Sequence, residues 1–569
     1  MGRIVRVNGP LVEADQLAGV AMADLVEIGR QRAPAEVVSM VGDRVTLQAY
    51  EYTGGLAPGD PVYPLGRPLA ARLGPGLLGG VFDGLLRPLN AAGTWLAPGS
   101  ARHGDGGRSW AFTPTAEVGC TCRAGDVIGL VDAGPVPHRV LVPPGVSGRL
   151  DRLAQPGLYG TGDPIATIGG VGVTLASWWP VRHPRPCRER RRGTAPLLTG
   201  QRVLDAVFPI VKGGAAAVPG GFGTGKTVLL QQIAKWCDAD VIVYVGCGER
   251  GNEMADVVGE LATLSDPRTG GRLADRTVVI ANTSNMPIMA REASIYTGVT
   301  VAEYYRDMGL DVVVIADSTS RWAEALREFA SRTGALPAEE GYPAGLASAL
   351  AAFYERSGRV VTLGGVEGSV TVIGAVSPPG GDLTEPVTAQ TQRFVRSLWT
   401  LDRDLAYARH YPAVTWVGSY CRDAAAVGAW YAAHGDVDWA ARQARVVALL
   451  AEADRLASLA ELIGLAALPG HERVVMLGGR LLREGMLQQN ALSTMDAYSS
   501  PEKSAALIDM VLGVVDRCER LIEAGTPASA IEEFDFSPVI RAREENGPAD
   551  ADGVRLLGKR VQAMLEETL

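Results

Sequence analysis

The feature that most constrains this chain is the glycine-rich stretch GGFGTGKT, residues 220–227, which has the spacing G-x-x-x-x-G-K-[ST]. The apolar run AAAVP precedes it, and the helical pattern TVLLQQIAKW follows it. A strand, a glycine loop and a helix in this order form a phosphate-binding loop, because backbone N–H groups surround the phosphate and the helix N-terminus adds positive charge. The alternative, a glycine-rich turn that binds no nucleotide, does not account for this order of elements.

The region around this loop alternates strand patterns with helical patterns. The strand patterns are continuous apolar runs, which indicates strands covered on both faces, as in a mainly parallel sheet. We therefore predict an α/β domain whose sheet carries the phosphate loop. The predicted strands lie at residues 215–218, 240–246, 276–282, 311–317, 359–364 and 369–376.

The rest of the chain has other patterns. A length of 569 residues is too great for one hydrophobic core. Residues 1–70 show short β-type runs, and we assign them to a β-barrel. A second β-rich patch occupies residues 110–185 and ends in the Pro/Arg stretch 178–193, which we interpret as a solvated linker. Residues 426–569 show helical spacing and predict a C-terminal α-helical domain.

Charge and cysteine content argue against several classes of protein. The net charge of −9 and the pI of about 5.4 argue against nucleic-acid binding. The seven cysteines are odd in number, and we expect free thiols in a reduced cytosolic protein. We expect Cys120 and Cys122 to point to opposite faces of a strand, so no metal site is predicted there. We predict neither a signal peptide nor a membrane span, which needs about 18 apolar residues.

One strand pattern ends in charged residues rather than in an ordinary turn. In VIVYVGCGERGNEM, residues 241–254, Glu249 and Arg250 follow the apolar run closely. Ligands of such sheets lie beyond the carboxyl ends of the strands, so both side chains are predicted beside the terminal phosphate of a nucleotide. Glu249 is then suited to orient the attacking water, and Arg250 to hold that carboxylate or to donate to the phosphate. The alternative is a surface ion pair, which contributes little.

Two residues are predicted to hold a magnesium ion. The hydroxyl of Thr227, next to the phosphate-binding Lys226, suits Mg²⁺. The strand pattern at 311–317 ends in Asp317, an acid expected to hold the ion through water. An aspartate that merely caps the following helix is an equally good interpretation of Asp317.

Several motifs beyond the phosphate loop resemble one family. They are VGCGERGNEM, ANTSNMPIMAREASIYTGVTVAEYYRDMG, ADSTSRWAEALRE, LPAEEGYPAGLASALAAFYERSGRV, SPPGGDLTEPV, YARHYPAVTW and LQQNALSTMDAYSSPEK. Together they resemble the catalytic A subunit (alpha chain) of V-type, or archaeal and bacterial V/A-type, ATPases over essentially the whole chain. The resemblance implies a RecA-like nucleotide-binding domain at residues 71–109 and 186–425, with residues 110–185 inserted in it as a bulge domain.

The resemblance also implies roles for individual residues. Arg321 lies where the family places an arginine near the terminal phosphate. Tyr411 is implied to stack on adenine, with Ala491 and Leu492 as the far wall, although Tyr411 alone would be interpreted as a core aromatic. The catalytic set is Lys226, Glu249, Arg250 and Arg321. The set that binds ATP or ADP, with Mg²⁺, is Gly220, Gly221, Phe222, Gly223, Thr224, Gly225, Lys226, Thr227, Val228, Tyr411, Ala491 and Leu492.

Three positions depart from the family pattern. Gly221 stands where the family usually has Pro, so we expect a looser phosphate loop. Leu492 replaces a common Phe, so we expect weaker packing on adenine. Thr224 stands where eukaryotic members have Cys, so a redox switch through that thiol is not available. None of the three departures removes a catalytic group.

The function implied is that of the catalytic subunit of a proton-transporting two-sector ATPase, which couples ATP turnover to rotation of a central stalk and to proton or sodium translocation. The implied partners are B subunits in an alternating A3B3 ring that supply an arginine finger, central-stalk and peripheral-stalk subunits, and indirectly the membrane sector, at the cytoplasmic face of the cell membrane and without nucleic acid. One alternative is a non-catalytic nucleotide-binding ring subunit, which Lys226 and Glu249 argue against. The other is a RecA-like hexameric secretion ATPase or nucleic-acid translocase, which the acidic pI and the patch at 110–185 argue against.

Overall fold

The computed structural model describes residues 2–89, 99 and 107–568. Within the predicted stretch 71–109, residues 90–98 and 100–106 therefore lie outside the described part. The chain divides into two compact units, each described by itself below. The first comprises Met1–Arg192, Ala239–Val376 and Ala389–Phe394, and the second comprises Gly193–Asp238, Ser377–Thr388 and Val395–Leu569.

The first unit begins with a closed six-stranded antiparallel barrel, as predicted. Side chains along each strand point alternately into the barrel core and toward solvent. In the strand Leu11–Asp15, for example, Val12 and Ala14 are completely buried, while the other residues are partly exposed. The barrel order is β1-β2-β5-β4-β3-β6. The strands are β1 (Gly2–Asn8), β2 (Leu11–Asp15), β3 (Asp24–Ile28), β4 (Ala33–Val41), β5 (Arg44–Ala49) and β6 (Pro61–Pro68).

The second β-rich region of this unit contains two four-stranded sheets around a core that includes Phe112, Ile128, Leu150 and Ile165. Their orders are β10-β13-β15-β16 and β12-β11-β9-β14, and β17 pairs with β7. The strands in this part of the chain are β7 (Ala70–Leu73), β8 (Val81–Phe82), β9 (Ser109–Pro114), β10 (Thr121–Cys122), β11 (Val127–Val131), β12 (His138–Leu141), β13 (Gly148–Leu153), β14 (Gly157–Gly160), β15 (Pro164–Ile168), β16 (Val171–Thr174), β17 (Ser177–Pro180) and β18 (Glu189–Arg191). Of these, β8 and β18 pair with strands of the α/β part described below.

The prediction that the Pro/Arg stretch is a solvated linker holds only in part, because Arg188, Arg190, Arg191 and Arg192 are exposed whereas Arg182 and Arg185 form ion pairs. Arg182 donates to Glu36 at 2.8 Å and to Glu292 at 2.6 Å. Arg185 is buried and donates through Nε to Asp307 at 2.7 Å. Because these carboxylates lie more than a hundred residues away in sequence, a local pattern of Arg and Pro cannot show that the arginines are paired.

The α/β part of the first unit contains the predicted parallel sheet. Parallel pairing joins β23 to β22, β22 to β24 and β24 to β26, while β25 adds antiparallel to β26. Before these strands in the chain come four elements of the second unit, which are β19 (Pro196–Leu197), β20 (Ile210–Val211), β21 (Ala215–Pro219) and α1 (Lys226–Trp236). The first unit then supplies β22 (Val241–Cys247), α2 (Gly251–Thr263), β23 (Thr277–Asn282), α3 (Ile288–Asp307), β24 (Asp311–Asp317), α4 (Thr319–Thr333), α5 (Leu346–Tyr354), β25 (Gly358–Val361) and β26 (Glu367–Val376).

The chain ends in helices, as predicted. Ser500 caps α11 by accepting from the N–H of Lys503, and Pro501 occupies the first helical position, where its missing donor costs nothing. In the described part, no helix is long and apolar enough to cross a membrane. The remaining elements are α6 (Pro386–Phe394), β27 (Ser397–Leu398), α7 (Arg403–Tyr407), β28 (Tyr420–Cys421), α8 (Ala424–Ala433), α9 (Trp439–Ile463), α10 (Gly470–Leu482), α11 (Pro501–Glu523), α12 (Ala528–Glu533), α13 (Ser537–Glu545) and α14 (Ala551–Thr568).

Candidate functional site

The phosphate loop lies in the second unit, between β21 and α1, in the strand–loop–helix order that the sequence predicts. Gly223 and Gly225 have φ angles of 78° and 87°, a conformation that side chains other than glycine rarely adopt. The Lys226 ammonium donates to the Gly220 carbonyl and, at 3.0 Å, to the Gly221 carbonyl. The loop thus presents a cation at the N-terminus of a helix, which is the arrangement that binds phosphate.

The first residues of the loop differ in how much they constrain it. Thr224 is buried and donates its hydroxyl to the Gly221 carbonyl at 2.8 Å. A Cβ added at Gly220 would lie 2.7 Å from the Cβ of Leu401, so this position requires glycine. A Cβ at Gly221 would meet nothing closer than 3.6 Å, the Arg403 guanidinium. Glycine at 221, the departure from the family pattern, therefore fulfils no packing requirement.

A pocket of about 370 Å³ opens beside the loop, within the same unit. Its lining includes Gly225, Val228, Tyr411, Ala491 and Leu492, so the structure brings together the residues predicted to hold adenine. A Cβ built at Gly225 would lie 3.3 Å from the Tyr411 ring, so the ring packs directly on the loop. Leu492 is 95% exposed, which leaves its side chain free to cover a flat ligand. Phe222 is also exposed but does not line this pocket.

Sequence reasoning missed the residues that hold this pocket in place. Asp496 is fully buried and forms ion pairs with Arg202 at 2.7 Å and with Arg543 at 2.6 Å. It also accepts from the N–H of Asn490 at 2.7 Å, which fixes the segment that carries Ala491. Asn490 and Asp496 lie within the motif LQQNALSTMDAYSSPEK, but nearly 300 residues separate Asp496 from Arg202 in sequence, so no local signal indicates that the two form a pair.

The predicted carboxylates lie in the first unit, where three parallel strands end together. In the register of the sheet, Gly246 of β22 lies beside Asp317 of β24, and Cys247 lies beside Asn282 of β23. The strand ends thus converge at the edge where doubly wound sheets bind ligands. A Cβ at Gly246 would lie 2.0 Å from the Met254 sulfur, so a larger residue here would force the buried Met254 side chain of α2 to move.

Gly248 forms the turn that brings the acid out of the strand. Its φ is 76°, and a Cβ there would lie 2.8 Å from the Cβ of Arg321 and 3.0 Å from the Cδ of Arg291. Its N–H donates to the Asn282 carbonyl at 2.7 Å. The turn is therefore packed between two arginines, and only glycine fits it.

Glu249 is half-buried, and burial and three neighbouring charged residues act on its carboxyl group. Burial raises its pKa to about 7, with further upward contributions from Asp317 and Glu253, while Arg321 acts in the opposite direction. A carboxyl group that titrates near neutral pH is suited to accept and return a proton. With this pKa the Glu249 carboxyl group is partly protonated and partly ionised near pH 7.

Two roles are predicted for Arg250, either as the positional partner of Glu249 or as a donor to the phosphate. It is exposed at the start of α2, and in the described residues no ion pair joins it to Glu249. The cation whose field acts on Glu249 is Arg321, which itself pairs with Glu324 at 3.0 Å on α4. The hydrogen bond that Arg321 donates to Glu324 raises the pKa of Arg321 and keeps it charged. Spacing along the chain favours the adjacent arginine, but folding brings in one from α4, the helix that follows the neighbouring strand β24.

Asp317, the predicted metal acid, is buried, and its Oδ2 accepts from the Tyr244 hydroxyl at 3.1 Å. In the adjoining turn Ser318, rather than Asp317, caps α4, which argues against the simple capping interpretation. Thr227, the other predicted ligand, is exposed in the second unit. Among the described residues, no cluster of three or more His, Cys, Asp or Glu side chains is able to hold a metal alone. Asp317 alone supplies few oxygen ligands, which suits Mg²⁺, because this ion keeps several waters and takes phosphate oxygens as further ligands.

The expectation for Cys120 and Cys122 is wrong. Only Cys122 lies on β10, Cys120 lies in the turn before it, and the two sulfurs are 3.6 Å apart.

Sequence profiles of known families match four parts of the chain. The ATP synthase alpha/beta family matches with its nucleotide-binding domain over residues 200–421 and with its beta-barrel domain over residues 4–66. The barrel-sandwich domain of ATP synthase alpha/beta subunits matches residues 104–182, and the C-terminal domain of V and A type ATP synthase matches residues 428–531.

Curated relatives match over nearly the full length. The V-type ATP synthase alpha chain of Nitrosococcus oceani is 50% identical, with 95% of this chain and 94% of the relative covered. The chain belongs to the family of alpha chains of V-type and A-type ATP synthases. The V-type ATP synthase alpha chain of Halothermothrix orenii is 46% identical over 99% of this chain and 97% of its own. The corresponding chain of the A-type ATP synthase of Saccharolobus islandicus is 48% identical over 93% of this chain and 92% of its own.

Membership of this V/A-type family confirms the family, the fold class and the ATP synthase function that the sequence predicts, and disfavours the secretion and translocase alternatives. It makes the chain a nucleotide-binding subunit of a multisubunit, membrane-associated complex. The assembled ATPase EscN of an E. coli type III secretion system has a similar structure, with a TM-score of 0.64, 22% identity, and coverage of 90% of this chain and all of EscN. At that identity the likeness shows the fold alone.

Proposed function

We propose that this V/A-type alpha chain is the catalytic subunit, and that its own side chains perform the chemistry of ATP hydrolysis and synthesis. The observation that carries the proposal is the position of Glu249, a half-buried carboxyl group with a pKa of about 7 where the strands of a parallel sheet end. Hydrolysis of ATP needs a group that orients water and exchanges a proton with it, and general bases act best when their pKa lies near the working pH.

Each residue of the phosphate loop has a role of its own in this proposal. Lys226 exchanges its two loop carbonyl partners for the outer phosphates of ATP, where its charge is neutralised. The N–H groups of Gly223 and Gly225 and of the first turn of α1 donate to the phosphate oxygens. The hydroxyl of Thr227 is a ligand of Mg²⁺, and Asp317 holds the ion through water. The ion, when bound, neutralises charge on the phosphates.

On the carboxylate side, Glu249 accepts a proton from the attacking water, and Arg321 donates to the charge that develops on the terminal phosphate. Arg250 is exposed and is assigned to the phosphate side of the reaction rather than to Glu249. The stretch Gly220–Val228 lies along the triphosphate. Tyr411, Ala491 and Leu492 bind the adenine ring, since a flat aromatic face and two small apolar groups match a purine.

The partners in this proposal are non-catalytic B subunits that alternate with this chain in an A3B3 ring and supply an arginine finger. Stalk subunits transmit rotation to a membrane sector at the cytoplasmic face of the cell membrane, where protons or sodium ions cross, and no nucleic acid is involved. The profile matches at residues 4–66, 104–182, 200–421 and 428–531 support the proposed division into a barrel at 1–70, a bulge at 110–185, a nucleotide-binding domain at 71–109 and 186–425, and a helical domain at 426–569.

The experiment compares ATP hydrolysis by the purified chain alone and by the chain assembled with its B subunit. An arginine finger contributes about 10³- to 10⁵-fold to turnover, so we expect the isolated chain to bind ATP but hydrolyse it at most at that reduced level. We expect addition of the B subunit to restore turnover. A B subunit whose finger arginine is changed to alanine is not expected to restore it. Rapid hydrolysis by the chain alone would overturn the proposed interface.

A further inference from the structure

Two cysteines of the inserted β-rich region lie in contact at the start of β10. The sulfurs of Cys120 and Cys122 are 3.6 Å apart, which is van der Waals contact. All seven cysteines lie in the described part of the chain, and none of them forms a disulfide there. The pair takes no part in nucleotide binding, so the function described above leaves it unexplained.

The backbone just before β10 brings the sulfurs together. Cys120 closes a turn, since its N–H donates to the Glu117 carbonyl at 3.2 Å and Gly119 has a φ of 98°. Gly119 donates to the Leu150 carbonyl at 2.8 Å, and the N–H of Leu150 donates to the Cys120 carbonyl at 2.8 Å. Gly119 and Cys120 thus lie together opposite the single residue Leu150, as in a β-bulge. A bulge changes the direction of a side chain, and here it turns Cys120 toward Cys122.

The two thiols have different surroundings. Cys120 is exposed to solvent. Cys122 is 3% exposed and belongs to the same core cluster as Phe112 and Leu150. Burial first, and then the neighbouring Cys120 and Asp126, raise the pKa of Cys122 to about 11, which keeps that thiol protonated and unreactive toward solutes. A reagent in solution therefore reacts first with the exposed Cys120, and the buried Cys122 thiol lies in contact with it.

We propose that Cys120 and Cys122 form a thiol–disulfide exchange site, which takes small disulfides such as oxidised glutathione and closes into an internal disulfide. The Cys120 thiolate attacks one sulfur of oxidised glutathione, the glutathione S–S bond breaks, and one glutathione leaves and takes a proton. Cys122 then attacks the Cys120 sulfur, the bond between Cys120 and the second glutathione breaks, and the departing glutathione takes the proton that Cys122 loses. Two protein thiols are oxidised, and one glutathione disulfide is reduced to two thiols.

The geometry allows the second step. A disulfide needs a sulfur–sulfur distance of about 2 Å, so the sulfurs must approach by roughly 1.5 Å. Cys120 lies outside β10, in the exposed turn that Glu117 begins, so this turn is the part that moves. Cys187 and Cys421 are each half-exposed and serve as comparison thiols on the same chain.

The test uses the full chain, reduced and then exposed to oxidised glutathione, with remaining thiols alkylated and the protein digested with trypsin. Residues 109–123, SWAFTPTAEVGCTCR, form one tryptic peptide that contains both cysteines and no others. We expect this peptide to lose both of its alkylatable thiols and to become lighter by two hydrogens. Treatment with dithiothreitol is expected to restore both thiols. The Cys187→Ser variant is expected to give the same result. In Cys122→Ala the peptide is expected to keep one glutathione on Cys120.

A fourth chain, Cys120→Ser, changes an exposed position and keeps the core intact. Its Cys122 is expected to remain alkylatable after denaturation, with no glutathione attached. The proposal is overturned if the natural chain keeps two alkylatable thiols in this peptide, if it holds a stable glutathione adduct without ring closure, or if Cys122 reacts equally well without Cys120.

Discussion

The Tyr244 hydroxyl donates a hydrogen bond to Oδ2 of Asp317 over 3.1 Å, between two neighbouring strands of the parallel sheet. Both residues are buried, and Tyr244 lies two residues before Gly246, the register partner of Asp317. Burial, followed by the charge of Asp317, raises the pKa of Tyr244 well above its usual range, so the hydroxyl remains a donor at all ordinary pH values. The strand that leads to Glu249 therefore also fixes the orientation of the proposed magnesium acid.

Replacement of Tyr244 by Phe removes this donor and keeps the ring. Because partners that orient metal-binding carboxylates contribute about 10- to 100-fold to metal affinity, the Mg²⁺ concentration for half-maximal ATPase activity of the assembled complex is expected to rise by about that factor. Tyr296→Phe is the matched control, since the Tyr296 hydroxyl bonds the Ala349 carbonyl instead. An unchanged Mg²⁺ dependence in Tyr244→Phe would remove Tyr244 from the account.

Replacement of Gly248 by Ala tests the turn that carries Glu249. The added Cβ would lie 2.8 Å from Arg321 in a backbone with φ of 76°, so we expect a loss of about 1–3 kcal/mol in the free energy of unfolding, together with loss of turnover. Gly251→Ala, three residues further on, is the control, because a Cβ at Gly251 would have no atom within 4 Å. This variant is expected to change neither the free energy of unfolding nor the turnover. Thermal unfolding and ATPase assays on both variants distinguish strain from a general effect of the substitution.

Replacement of Glu253 by Gln tests the pKa of Glu249 through pH. Glu249 must be deprotonated to accept a proton, so kcat/KM of the complex is expected to be high above a pKa of about 7 and to fall as the pH drops through it. Glu253 raises that pKa, so its neutral replacement should move the acidic limb to lower pH. Glu260→Gln removes an equal charge from the exposed side of the same helix and should move the limb less. If the acidic limb of the pH profile of Glu253→Gln stays in place or moves to higher pH, the limb does not report the pKa of Glu249.

Replacement of Leu492 by Phe tests the adenine pocket. Leu492 lines the pocket together with the Tyr411 ring and is almost fully exposed, so an aromatic side chain has room to stack. Aromatic pairs contribute about 0.5–1.5 kcal/mol beyond area burial, so we expect ATP to bind about 2- to 12-fold more tightly in equilibrium titrations. Leu462→Phe, at another exposed leucine outside the pocket, should leave the affinity unchanged. Unchanged or weaker binding by Leu492→Phe would contradict the assigned position of adenine.

The sequence predicts well those features whose cause is local. The apolar run 215–219, the glycines at 223 and 225 and the helix that begins at Lys226 specify one another within a dozen residues, and the structure has all three. The strand ends at Cys247 and Asp317 lie where the apolar patterns stop. Each of these elements is determined by neighbours along the chain.

Features that depend on distant partners escape the sequence pattern. Adjacency suggests Arg250 as the partner of Glu249, but the cation whose charge acts on Glu249 is Arg321, on the helix after β24. Arg185 belongs to a run that resembles a solvated linker, yet Asp307 pairs with it and neutralises its charge. The Asp496 pairs and the contact between Cys120 and Cys122 likewise arise from folding, because a buried ion pair and a bulge depend on which segments meet.

The most direct test of the account is the turnover of the assembled complex with Glu249→Gln, which keeps the shape of the side chain and removes its capacity to accept a proton. We expect ATP and Mg²⁺ to bind with unchanged affinity, while turnover falls by about 10²- to 10⁴-fold, the contribution typical of general acid–base catalysis. A variant that binds ATP normally and hydrolyses it at a rate close to that of the natural complex would contradict the central claim.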